Sequence, residues 1–160
     1  MPGFDEHGHL MPYSIVDLTL SDFEAIFVDN LEDKIHRKAL FADYLRFVED
    51  ISTAFGAPFY QWLAGSFVTK KEFPGDIDTV TFLPYDAVIK NAKQVNYFKT
   101  LGRDKYNIDA SFSPVCKWNH RFYASAQLWE TEYYHLYSRS RPDENLIKHC
   151  KGIVKISFGL

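Results

Sequence analysis

The 160-residue chain carries 18 Lys and Arg against 21 Asp and Glu, a formal net charge of −3. Apolar residues make up 46%, aromatics 17% and charged residues 24%, which excludes a disordered tail, a collagen-like repeat and a disulfide scaffold. This length supports one domain, residues 1–160, with a proper core, and the mild acidity argues against coating nucleic acid by bulk charge. Cys116 and Cys150 are the only cysteines and neither sits in a CxxC pair, so both are read as small buried hydrophobes of a reduced, cytoplasmic chain. Charge breaks every hydrophobic stretch within about ten residues, so neither a signal peptide nor a membrane span is expected.

Residues 1–20, with Pro2, Gly3, Gly8 and Pro12, read as an extended lead-in. Ser21-Asp22-Phe23-Glu24 has capping-box spacing and predicts a short helix to about Val28. From Glu32 to Phe55, the spacings of Ile35, Ala39, Leu40, Tyr44, Leu45, Val48 and Ile51 draw one apolar stripe on a long amphipathic helix, stopped by Gly56 and Pro58. The period then changes. Phe59–Ala64 reads as a strand closed by Gly65-Ser66, and Phe67–Gly75 as a polar connection. Ile77–Leu83 is a second strand ended by Pro84. Tyr85–Leu101 reads as helix, Ile108–Ser113 as a third strand, Arg121–Tyr137 as helix and Gly152–Phe158 as the last strand. The sum is an α+β domain, a small mixed β-sheet with helices packed on one side.

The chemistry gathers in the middle. Ten residues after Ser66 comes Asp76-Ile77-Asp78, where alternation sends both carboxylates to one face. Because Asp78, Val80 and Phe82 share that face, the acidic edge belongs at the strand's end. Asp109, between Ile108 and Ala110, joins them if its strand pairs beside the second. Three carboxylates together repel unless a hard cation such as Mg²⁺ sits among their oxygens and shares itself with phosphates. Gly65 lets a phosphate approach the backbone, Ser66 can donate to it, and Lys70 and Lys71 offer charge for a triphosphate tail.

These residues resemble the signature of the polymerase-β-type nucleotidyltransferase superfamily: a Gly-Ser turn, a spacer of about ten residues, two alternating carboxylates and a third on a later strand. The resemblance extends to a small, poorly characterised bacterial group of nucleotidyltransferase-like proteins, through Phe4–Pro12, Trp62–Asp78 and Lys151–Ile156. It implies a polymerase-β-like core that transfers a nucleoside monophosphate from an NTP to a hydroxyl with two Mg²⁺ ions, or Mn²⁺ in their place. Gly65 and Ser66 would hold phosphates, Asp76, Asp78 and Asp109 would hold metal, and Asp109 would also help activate the acceptor hydroxyl. The spacer lacks the Arg-Gly of the small antitoxin members, which weakens transfer of an antitoxin role.

Two other classes compete: a non-catalytic nucleotide-binding or toxin–antitoxin-type regulatory module, and an interaction protein with a vestigial motif. The acidic single domain favours a protein or small-molecule acceptor over a long nucleic acid, with a partner chain or second copy completing the site. Lys70 and Lys71 are read first as a solvated hairpin tip, and Arg103 and Lys105 equally as surface loop or nucleotide contact. His7 and His9 have chelating spacing, but a flexible lead-in is the favoured reading. Trp129, Tyr133, Tyr134 and Tyr137 recur at helical spacing and are read as core or subunit contact before base stacking.

Overall fold

The change of period after Gly56 becomes a change of layer in the computed structural model, which describes residues 2–159. The lead-in carries strands β1 (Gly3–Phe4), β2 (Leu10–Met11) and β3 (Ile15–Asp17), then helix α1 (Leu20–Glu24), which a π-helical turn over Ala25–Asp29 extends. Helix α2 is Lys34–Phe55, and strands β4 (Phe59–Ala64) and β5 (Ile77–Pro84) follow. Helices α3 (Tyr85–Lys90) and α4 (Ala92–Tyr106) cross over to β6 (Ile108–Val115), and α5 (Tyr123–Tyr137) leads to β7 (Ile153–Phe158). The main sheet has the order β3-β7-β4-β5-β6, parallel at β3–β7 and β5–β6 and antiparallel between.

Several expectations need correction. The first helix is capped by Thr19, whose hydroxyl accepts from the Asp22 amide, not by Ser21. The lead-in is not merely extended: β3 pairs with β7 and completes the sheet. The expected helix after Pro84 is two helices broken at Asn91. The third strand runs on through Pro114, which an edge strand tolerates because its outer side needs no ladder donor. The stripe on α2 holds in part: Leu40, Tyr44, Val48 and Ile51 are buried as expected, but Ile35 is 85% exposed, Ala39 and Leu45 are exposed, and Phe41, Phe47 and Arg37 join the buried face. Cys116 is buried as expected, whereas Cys150 is only half-buried and accepts from Arg139.

Helices cover both faces, not one. On the first, Phe47 of α2 meets Phe98 and Tyr106 of α4 edge-on at 5.8 and 5.4 Å, over Leu63, Ile77, Leu83 and Ile108. On the second, Trp62, Val80, Phe82 and Ile153 pack against Tyr133, Tyr134 and Tyr137 of α5. Trp129 stays 48% exposed, so only part of that aromatic row is core.

A buried guanidinium orders the segment between β4 and β5. Arg37, wholly inaccessible to solvent, donates through Nη1 to the carbonyls of Phe27 and Phe67 and through Nη2 to those of Thr69 and Lys71, at 2.7–3.0 Å. Its Nε donates to Asp33 Oδ1 at 2.8 Å, and the Phe73 amide donates to Asp33 Oδ2. Burial pushes the Asp33 carboxyl up, but the Phe73 amide and Arg37 outweigh it and hold it below the ordinary range. Removing one partner of such a pair strands the other. Arg37→Met is therefore expected to cost about 3–5 kcal/mol in urea unfolding. A loss below ~1 kcal/mol would show that the loop holds itself.

Candidate active site

Three strand ends deliver the candidate residues to one place. Ala64, the last residue of β4, lies opposite Asp78 across an antiparallel ladder, and Asp78 pairs on its other side with Asp109 in parallel register. Their neighbours Ile77 and Ile108 point into the first core and are fully buried, so alternation turns both aspartates to the α5 face. Asp76 stands one residue before the strand rather than within it.

Gly65 holds φ at +69°, and a Cβ built on it would fall 1.6 Å from Asp78 Oδ2. Only glycine serves there, for its backbone angle and because the carboxylate packs against its bare Cα. Ser66 is half-buried; its carbonyl accepts from the amide and hydroxyl of Thr69, leaving the serine hydroxyl turned to no partner among the described residues.

Two cations answer the acids. Arg103, in the last turn of α4 and not in a loop, donates from Nη2 to Asp109 Oδ2 at 2.7 Å and lies 3.1 Å from Asp76 Oδ2. Lys151 is buried at the foot of β7, with Nζ 3.5 Å from the Gly65 carbonyl, the outer limit of a hydrogen bond. Burial lowers its pKa, while the charge on Asp78 works in the opposite direction. Neither Lys70 nor Lys71 pairs with the aspartates among the described residues: the Lys70 ammonium lies over the Phe4 ring at 5.5 Å, and the Lys71 carbonyl is spent on Arg37.

Asp78 is the perturbed group. Burial first, then the charges of Asp76 and Asp109, raise its pKa to about 6, against the pull of Lys151 and Arg103. Tyr137 of α5 faces the same acids; burial first, then Asp78 and Asp109, keep its hydroxyl protonated far above the ordinary range. Among the described residues, no three His, Cys, Asp or Glu side chains converge tightly enough to hold a metal ion as they stand. Arg103 spans Asp76 and Asp109 instead. The donor set still fits a hard cation: it is all carboxylate oxygen, it already attracts one cation, and Asp78 retains unrelieved repulsion. Two open clefts, one by Thr53, Asp86 and Lys90 and one by Lys99, Trp129 and Glu132, are lined by none of the three aspartates.

Sequence reasoning gave no role at this site to Lys151 or Tyr137. A lysine beside a strand reads as solvated and a helical tyrosine as core, and only their pairing partners reveal otherwise. Residues 2–157 match a family described as a family of unknown function (DUF6932), and the chain belongs to it. No curated protein and no solved structure matches the chain.

The raised Asp78 pKa sets a sign. Between about pH 4 and pH 6 the folded chain holds this proton more tightly than the unfolded one, so stability falls as pH rises through that window. The full penalty is present above it. Asp78→Asn is therefore expected to stabilise the protein at pH 7.5, by on the order of 1–2 kcal/mol, with the gain fading towards pH 4. Urea unfolding of both proteins across this range measures it, and a gain independent of pH would refute the buried, repelled carboxylate.

Proposed function

We propose that the chain is a Mg²⁺-dependent nucleotidyltransferase that moves a nucleoside monophosphate from an NTP to an acceptor hydroxyl. The observation that carries this reading is the meeting of the Gly65 turn with Asp76, Asp78 and Asp109 at neighbouring strand ends. Asp76, Asp78 and Asp109 would hold the metal, with Mn²⁺ able to replace Mg²⁺. Bound there, two such ions supply the charge that activates a hydroxyl and steadies departing pyrophosphate.

The chain's own residues divide the remaining work. The Ser66 hydroxyl and the amides after Gly65 donate to phosphate oxygens. Lys151, buried beside Gly65, gives the triphosphate a cation whose water is already removed, a better position than those of Lys70 and Lys71. Asp109 orients the acceptor hydroxyl and draws its proton. Arg103 leaves Asp76 and Asp109 when metal and nucleotide arrive. The acceptor is a hydroxyl on a protein or small molecule, and a partner chain or a second copy completes its pocket. No helix among the described residues is long and apolar enough to cross a membrane.

Arg103 also favours a second reading. Its guanidinium already bridges Asp76 and Asp109 where a metal would sit, which suits a module that binds nucleotide and does not turn it over. Such a module belongs with non-catalytic or toxin–antitoxin-type regulators.

Calorimetric titration of each NTP, with and without Mg²⁺, tests both. Expected is Mg²⁺-dependent binding weakened at least about tenfold in Asp76→Asn, Asp78→Asn, and more by Lys151→Met than by Lys70→Ala or Lys71→Ala. Binding without pyrophosphate release for any acceptor selects the second reading. No binding to the wild type refutes both.

A further inference from the structure

Three histidines meet away from the carboxylates, where the N-terminal turn lies against the segment leading into β7. The ring centres of His7 and His149 are 4.3 Å apart, those of His9 and His149 5.8 Å, and those of His7 and His9 6.1 Å. Three imidazoles bound to one tetrahedral ion, at metal–nitrogen distances of about 2.0–2.1 Å, place their ring centres about 5 Å apart. The observed triangle straddles that value, although the three rings do not converge on one point as they stand and one of them must turn to close the site.

Each side of the cluster is shaped by its own carboxylate. Asp5 Oδ1 accepts from the amides of both His7 and His9, and Gly8 turns the chain at φ +78°, so the two rings leave a fixed turn on the same side. On the other side, Asp143 Oδ1 accepts from the amides of Asn145 and Ile147, and its Oδ2 lies 2.9 Å from His149 Nε2. A carboxylate on one ring nitrogen fixes the tautomer and frees the other nitrogen, which is how metal-bound histidines are commonly held. His149 thus has Nδ1 to offer. His9 Nδ1 is buried without a hydrogen-bond partner, and Asp5 Oδ2 lies 3.8 Å from it. The lead-in is therefore not the flexible tail that its sequence suggests.

We propose that His7, His9 and His149 form a binding site for a borderline divalent ion of the Zn²⁺ class, with Asp143 as the carboxylate behind His149. Imidazole nitrogens suit Zn²⁺ and are poor ligands for Mg²⁺, so this site and the aspartate cluster select different ions. The rings now lie side by side, tilted by 33–39°, and closing them on one ion turns the half-exposed His7 ring. The ion would pin the first residues of the chain to the segment ending at Lys151. Because the Lys70 amide donates to the Gly8 carbonyl, it would brace the loop after Gly65 as well.

The test is Zn²⁺ titration of chelator-treated full chain by calorimetry, with bound metal counted by elemental analysis. One Zn²⁺ per chain is expected, weakened at least about tenfold by His149→Ala or His9→Ala and about 10–100-fold by Asp143→Asn. Asp76→Asn, Asp78→Asn should bind Zn²⁺ as the wild type does, which separates this site from the proposed catalytic one. Imidazole NMR of the wild type gives a readout that no unfolded variant can confuse: His7, His9 and His149 should shift on adding Zn²⁺, and His36, His120 and His135 should not. No uptake, uptake indifferent to His149→Ala, uptake lost with the two aspartates, or shifts confined to the other histidines would each overturn the proposal.

Discussion

An arginine side chain stripped of all its water organises the loop that leads into the candidate site. The loop between β4 and β5 has no ladder to satisfy its carbonyls, and buried carbonyls need donors. Arg37 has five N–H groups in a rigid fork and spends them on Phe27, Phe67, Thr69, Lys71 and Asp33. One residue thus stands in for a missing strand, and ties α2, the π-helical turn and the loop into one body. The Gly65–Ser66 turn at the loop's head, and the Gly8 turn bonded through Lys70, both take their positions from that body.

Electrostatics on the other side of the sheet works in the opposite sense. Asp33 and Arg37 are matched, whereas Asp76, Asp78 and Asp109 outnumber the cations beside them and leave Asp78 strained against ionisation. A carboxylate so perturbed, at the meeting of three strand ends, marks a candidate functional site. Arg103 is more than half exposed on a flexible stem, so it screens the outer acids without being fixed there. Lys151 is the contrasting case, buried and committed to the floor of the site.

The strands and the carboxylate pattern were legible because period-2 alternation and Gly-Ser spacing are local signals. Phe59–Ala64 and the start of the Ile77 strand follow from the sequence, as does the Asp78–Asp109 pairing once the strands are laid side by side. What was not legible depends on distant partners. The face of α2 was read only in part, because an arginine reads as solvent-facing and nothing near Arg37 announces four carbonyls from other segments. Helix α5 and the core role of Tyr133, Tyr134 and Tyr137 were legible, but not that this helix covers the second face of the sheet, because that shows only against Trp62 and Val80. His149 meets His7 and His9 from the far end of the chain, so no spacing rule unites them.

The parallel register of β5 and β6 has a consequence for how such a site persists through mutation. Ile77 and Ile108 are locked side by side by the core, and the same register sets Asp78 beside Asp109. A slip of one residue would drive charge into the apolar layer, so hydrophobic packing guards the juxtaposition without reference to chemistry. The α3–α4 crossover can drift in length while the two positions stay together. Packing does not, however, require that both be aspartate. A neutral pair would fit the same places and escape the repulsion. The placement is inherited from the core, and the acid identity alone is left exposed to selection.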